Sequence, residues 1–246
     1  MPDGQIFEVL TTEWKKLVAQ GITKTGGRYL HEGGLPVVQI WGFYRRSAGN
    51  KVTPETASRL IDFFHAPGPF QAFLAGGGDW DWRVNPDPGW QAFQRRFNAW
   101  SPWNTGNYYR DKDGTAHATT DYWAEDKQEC EKHGILWLPV VYPGFSWDNL
   151  QQRPPGSTLI ARRGGQFLWE QFHALSTLGV SSAYVAMFDE VDEGTAIFKV
   201  TNDPPRQGHF VTLDGLPSDW YLRLTGDGAR LLREGKPAPR TIPLTP

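Results

Sequence analysis

Ser182-Ala183-Tyr184-Val185-Ala186-Met187-Phe188-Asp189-Glu190-Val191-Asp192-Glu193-Gly194-Thr195 is the stretch on which the reading of the fold turns. Its first half is a short apolar run with the look of a strand buried on both faces, the habit of a parallel sheet. Its second half places four carboxylates within five residues, directly after that strand. In parallel α/β folds the chemistry collects at the C-terminal ends of the strands. If the turn after Asp189 is helix-like, Glu190 and Glu193 at i and i+3 share one face. Like charges that close resist joint ionisation, so one carboxyl keeps its proton near neutral pH. Glycoside cleavage uses such an acid and carboxylate pair around the scissile bond. A solvated acidic loop is the competing reading. Against it stand the core strand in front and the Gly-Thr behind.

Working outward, the same alternation recurs. Ile135-Leu136-Trp137-Leu138-Pro139-Val140-Val141 reads as one strand leaving into Tyr142-Pro143-Gly144-Phe145-Ser146-Trp147. A helix over 120–134 precedes it, and a helix over 165–178, stopped by Gly179, follows. Upstream lie an amphipathic helix over 5–20 and a strand over 36–42. A second helix opens at Thr53-Pro54-Glu55, with Thr53 as cap and Ala57, Leu60, Ile61 and Phe64 inward. Phe70 to Gly76 reads as a strand entering a Gly76-Gly77-Gly78 loop. That loop lacks the lysine and serine of a phosphate-binding loop. A helix over 90–97 and a brief strand over 99–103 complete the pattern. Strands alternating with helices predict a parallel sheet. The expected fold is therefore α/β, (β/α)8 TIM-barrel-like but incomplete, with about five βα units visible and not eight. Residues 1–235 are read as a single partial barrel domain, and 236–246 as an extended, poorly held tail.

Composition narrows the function classes. The chain has 246 residues, a net charge of −2, 39% hydrophobic and 21% charged residues. That is ordinary globular composition, without the basic stripe of a nucleic-acid binder and without an apolar run of the roughly 18 residues a membrane span needs. Neither nucleic acid nor membrane is an expected partner. One cysteine, Cys130, excludes an internal disulfide and is expected to be buried and inert. His133, His173 and His209 have no metal-ligand spacing, so neither metal nor cofactor is expected. Arg162-Arg163 could meet an acidic group, although a solvated face is the commoner place for two adjacent cations. Met1-Pro2-Asp3 opens no signal peptide. An extracellular or periplasmic location would need sequence ahead of it.

Tryptophan is the outlier, with 12 residues, nine of them between Trp41 and Trp147. Sugars present flat C–H faces to aromatic rings, so tryptophan excess with low charge suggests a carbohydrate site. A tryptophan-rich core is the competing reading. Trp41, Trp80, Trp82, Trp103, Tyr142 and Trp147 all follow strands, as does Asp189. They are the expected substrate-binding residues, and Trp41, Trp80, Trp103 and Tyr142 are expected to line one concavity near Glu190.

The strand over 36–42, Ser101-Pro102-Trp103, Pro139 to Trp147, Ala186 to Thr195 and Ser218 to Gly226 resemble the glycoside hydrolase family 71/99-like proteins. The resemblance covers roughly residues 5–235. It implies a (β/α)8 barrel related to endo-α-mannosidases, in which the last strand ends in Glu-x-x-Glu-Gly-Thr. Glu190 and Glu193, followed by Gly194-Thr195, match that motif. By resemblance, Glu190 deprotonates the substrate 2-hydroxyl to give a 1,2-anhydro sugar, and Glu193 is the general acid/base. Val191-Asp192 stand where endo-α-mannosidases have Trp-His, so mannose specificity is not carried over. Family members have about three further strands before the first one here. The expectation is that a missing segment or a partner completes the barrel.

Two readings follow. One is a glycoside hydrolase acting on α-linked glycans through the paired carboxylates. The other is a non-catalytic carbohydrate-binding barrel or a truncated fragment of a longer enzyme.

Overall fold

The computed structural model describes residues 3–24, 26–43 and 52–246. In chain order its elements are α1 (Asp3–Ala19), β1 (His31–Glu32), β2 (Leu35–Phe43), α2 (Pro54–His65), β3 (Phe73–Gly78), α3 (Pro88–Gln94) and β4 (Ala99–Pro102). Then come β5 (Tyr108–Arg110), β6 (Ala116–Ala118), α4 (Trp123–Lys132), β7 (Leu136–Trp137), β8 (Val140–Val141), α5 (Gln166–Thr177), β9 (Tyr184–Val185) and α6 (Trp220–Arg233). They fall into two compact units. The first comprises Met1–Trp103 and Glu125–Leu138, the second Asn104–Ala124 and Pro139–Pro246. The sequence reading places no boundary inside residues 1–235.

The first unit is built on a sheet of order β1-β2-β3-β4-β7. Every pairing from β2 to β7 is parallel, and the short β1 adds antiparallel to β2. α2 forms as its sequence dictates. Thr53 Oγ1 accepts the Thr56 N–H at 3.2 Å, Pro54 occupies the first turn, and Ala57, Leu60, Ile61 and Phe64 are buried.

The Gly76-Gly77-Gly78 run is not a loop but the end of β3, paired with Trp100, Ser101 and Pro102 of β4. Close approach explains the glycines. A Cβ on Gly76 would lie 2.6 Å from the Phe97 ring, and one on Gly77 2.6 Å from the Trp41 ring. One on Gly78 would lie 2.2 Å from the Phe43 carbonyl oxygen. The strand gives up side chains so that aromatic rings can lie against its backbone. Phe43, Phe93, Phe97, Trp100 and Trp82 form the resulting cluster, with ring centroids 5.2–5.8 Å apart along it.

In the second unit β8 and β9 pair in parallel, β5 and β6 form an antiparallel hairpin, and α5 packs on α6. The run 135–141 is therefore two strands and not one. β7 pairs with β4 in the first unit, and β8 pairs with β9 in the second. Pro139 stands between them, without an N–H to continue a ladder, and its carbonyl accepts from Tyr184 N at 2.9 Å. The parallel strands thus belong to separate sheets, and no closed barrel is formed among the described residues. The fold is a mixed α/β fold with a parallel sheet.

The segment after Lys236, read from the sequence as a poorly held tail, is held by hydrogen bonds. Trp169 Nε1 donates to Pro239 O at 2.8 Å, Gln166 Nε2 to Arg240 O at 2.9 Å and Ala238 N to Ser176 Oγ at 2.9 Å.

Eight of the twelve tryptophans are buried: Trp14, Trp82, Trp90, Trp100, Trp123, Trp137, Trp169 and Trp220. Most of the tryptophan excess is therefore core. No helix among the described residues is long and apolar enough to cross a membrane.

Candidate active site

The acidic loop follows β9 in the second unit, where the sequence places it. Glu190 anchors it from both ends. Its carbonyl accepts from Thr195 N at 3.1 Å and Ala196 N at 2.8 Å, and its Oε1 accepts the Asp192 N–H at 3.0 Å. Asp189 is exposed, whereas Glu190 and Glu193 are each half-buried. Glu193 is fixed through its carbonyl, which accepts from Ser146 N at 2.8 Å.

Burial pushes the Glu193 carboxyl above the usual glutamate range, and the charge of Glu190 adds to this. A hydrogen bond from the Trp147 side chain opposes it. The direction is the one a general acid needs, because such a group holds its proton near the working pH. Trp147 is 42% exposed and meets Phe145 edge-on at 5.4 Å. One aromatic face thus stands beside a carboxyl of raised pKa, an arrangement that can hold a sugar against a proton donor.

Three further residues support this loop. Asn149 Nδ2 donates to Asp192 Oδ1 at 2.6 Å, while its own Oδ1 accepts from His209 N at 2.9 Å. Ser146 supplies the N–H on Glu193. Asn149 carries no local sequence signal, because its partners lie 43 and 60 residues away. Arg162 was expected on a solvated face. It is instead 3% exposed and donates through one Nη2 to Gly194 O at 2.9 Å and Ala196 O at 2.8 Å.

Two expected substrate contacts are core residues. Tyr142 is fully buried, edge-on to Phe167 at 5.0 Å, with its hydroxyl donating to Asn107 O at 2.8 Å. Trp82 is also fully buried, tilted on Trp100 at 5.8 Å beneath the Arg95 guanidinium. Neither ring has an open face. The physical reason is the same for both: each ring fills space inside its unit instead of leaving with the chain.

In the first unit, Trp80 is 44% exposed. Trp41 and Trp103 form an edge-to-face pair at 4.8 Å, with Trp41 lying over Gly77. Both are half-buried and stand near the C-terminal ends of β2 and β4. Trp41, Trp80 and Trp103 therefore belong to one unit, and Trp147, Asp189, Glu190 and Glu193 to the other.

No cluster of metal-ligating side chains occurs among the described residues. Cys130 is fully buried, and burial followed by the charge of Asp126 pushes its thiol pKa up, so it is an inert core residue.

No protein-family model matches the chain, and no curated protein matches it. Solved structures do, and the class they define is a glycoside-hydrolase-like α/β fold. The chain is similar to the GH99 endo-alpha-mannosidase from Bacteroides thetaiotaomicron, with a TM-score of 0.68 and 17% identity over 93% of this chain. A second GH99 endo-alpha-mannosidase structure from that bacterium, in complex with bis-tris-propane, gives 0.68 and 16% over 93%. A glycoside hydrolase-like protein gives 0.51 and 12% over 93%. The chain spans 63%, 66% and 61% of those chains. At these identities the likeness is one of fold, and it meets the resemblance read from the sequence.

Proposed function

We propose that this protein is a glycoside hydrolase acting on α-linked glycans, with Glu190 and Glu193 as its carboxylate pair. The observation that carries the proposal is the raised pKa of Glu193, caused by burial and the neighbouring Glu190 charge, on the loop that follows β9. The fold neighbours, two of them named as GH99 endo-alpha-mannosidases, support the same reading.

In this mechanism the glycan's scissile oxygen takes its proton from Glu193. Glu190, oriented by the Asp192 N–H, removes the proton of the 2-hydroxyl. The 2-oxygen then displaces the leaving group, giving the 1,2-anhydro sugar that the resemblance implies. Water opens that ring, with Glu193 taking back the water's proton and Glu190 returning one to the 2-oxygen. Trp147 offers its open face to a sugar ring, and Trp41, Trp80 and Trp103 are proposed as further stacking residues. The Val191-Asp192 pair leaves the identity of the sugar open to substrates other than mannose.

The test is release of reducing sugar from a panel of α-linked oligosaccharides. Cleavage of any member supports the hydrolase. Tight binding of a member without cleavage supports the carbohydrate-binding reading instead.

A further inference from the structure

α5 turns a polar stripe toward the β5–β6 hairpin. Gln166, Glu170 and His173 stand at i, i+4 and i+7 and so share one side of the helix. On the hairpin, Tyr109 of β5 and His117 of β6 are cross-strand partners with their rings stacked at 5.4 Å. The tail adds Arg240, whose carbonyl accepts from Gln166 Nε2 at 2.9 Å. These six residues line a cavity of about 390 Å³, and no residue of the acidic loop does. A helix packed on a hairpin ordinarily fills such a gap with apolar side chains. Here the gap is open and its wall is polar.

The wall is fixed and keeps hydrogen-bonding capacity in hand. His117 Nδ1 lies 2.9 Å from Glu170 Oε2, and its Nε2 3.2 Å from Asp111 Oδ2. Arg163 Nη2 donates to the same Glu170 oxygen, so Glu170 Oε1 has no donor among the described residues. Burial alone would raise the Glu170 pKa, but the Arg163 and His117 side chains hold it below the usual glutamate range, and the half-buried carboxyl is an ionised acceptor. His173 donates through Nδ1 to Ala238 O at 2.6 Å, which makes Nε2 of the neutral ring a second acceptor. The Arg240 guanidinium is exposed and forms no ion pair among the described residues, so it stands as a donor at the rim. Tyr109 is 54% exposed and supplies an aromatic ring.

We propose that the second unit binds one neutral pyranose sugar in this cavity, its ring against Tyr109 and its hydroxyls on Glu170, His173 and Arg240. Glu170 and His173, one helical turn apart, accept from neighbouring hydroxyls, and Arg240 donates to a third. Hydrogen bonds to charged groups are the stronger kind, which suits a ligand whose edge is all hydroxyl. The charge of Arg240 is offset by that of Glu170, so the wall favours neither a phosphate nor an amine. The volume lies within the range of small-molecule sites, roughly 300–1,000 Å³. At ~30 Å³ per water-sized group it holds about thirteen of them, the bulk of a single hexose. The site is separate from Glu190 and Glu193 and does not depend on their reaction.

The experiment is an NMR titration of the whole chain, with labelled histidine rings, against the methyl α-glycosides of mannose, glucose and galactose. At least one glycoside should move the His117 and His173 signals along a common saturation curve at millimolar concentration. His209 serves as the internal reference for the other site, because its N–H donates to Asn149, which also holds the acidic loop. Tyr109→Ala should keep the wild-type circular dichroism, since the residue is exposed, and weaken binding read at His173 about tenfold. Arg240→Ala, which leaves the ring and the backbone contact in place, should weaken it as well, whereas Tyr109→Phe should bind like the wild type. No shift at His117 and His173 with any of the three glycosides, shifts at His209 alone, or undiminished binding by folded Tyr109→Ala would each overturn the proposal. None of these readouts depends on glycan hydrolysis, so the site and the proposed enzyme stand or fall separately.

Discussion

The backbone N–H of Ser146 donates to the carbonyl of Glu193 at 2.8 Å, joining the loop after β8 to the acidic loop after β9. β8 and β9 are paired strands, so the loops leaving their C-terminal ends emerge side by side. This contact brings Trp147, one residue beyond Ser146, to the Glu193 carboxyl. The geometry of the candidate pair is thus a consequence of parallel pairing, and it can be probed from either loop.

From the Trp147 side, the hydrogen bond to Glu193 favours its ionised form. Trp147→Phe keeps the ring and removes the N–H. The Glu193 carboxyl should then titrate still higher, because one of the influences opposing its upward shift is gone. Glu190→Gln should move it the other way, by removing the neighbouring charge. Carbon-detected titration of labelled glutamate carboxyls in the two variants reads both signs.

Asp126 predicts a separate pH dependence in the first unit. Burial pushes its carboxyl up from 3.8 to about 7, against the pull of the Trp82 and Arg83 side chains. The folded state therefore holds a proton that the unfolded chain releases between about pH 4 and pH 7. Its contribution to stability is complete below that window and is lost as pH rises through it. The melting temperature should carry a downward component from pH 4 to pH 7, and Asp126→Asn should remove that component. A variant whose profile parallels the wild type across the window would contradict this.

Gly78→Ala should destabilise the first unit by about 1–3 kcal/mol or more, as overpacking does. The obstacle is the Phe43 carbonyl at 2.2 Å from the new Cβ, which is backbone and cannot rotate aside. Urea unfolding midpoints of the two proteins measure the cost.

Deleting residues 237–246 should lower the stability of the second unit. The deletion strips the partners of Trp169, Gln166 and His173, and exposes the side that Ala238 covers. At ~1 kcal/mol for each hydrogen bond, a loss of about 2–4 kcal/mol is expected in thermal unfolding.

Much of the fold was legible because its signals are local. Thr53-Pro54 caps α2, and Gly165 and Gly179 bracket α5, as expected from a few adjacent residues. What was misread depends on distant neighbours. Gly76-Gly77-Gly78 looks like a loop until Trp41, Phe97 and Trp100 are seen to fill the space where side chains would stand. Trp80 and Trp82 are two residues apart with similar surroundings in sequence, yet one is 44% exposed and the other fully buried. Only Trp100 beneath Trp82 decides between them. The split of 135–141 could have been anticipated from Pro139, whose missing N–H interrupts a ladder. Glu190 and Glu193 stand out in the sequence by spacing, whereas the contacts that Asn149 and Arg162 make with their loop do not, since these partners lie 32 to 60 residues away.

The central claim rests on Glu190 and Glu193 acting as a pair, and the rate of α-linked oligosaccharide cleavage by the wild type, Glu190→Gln and Glu193→Gln tests it most directly. Each substitution keeps size and most hydrogen bonding while removing the ionisable group. The account predicts an active wild type and a fall of about 10²–10⁴-fold for each variant, the range typical of lost acid/base assistance. Variants that cleave as fast as an active wild type would contradict it.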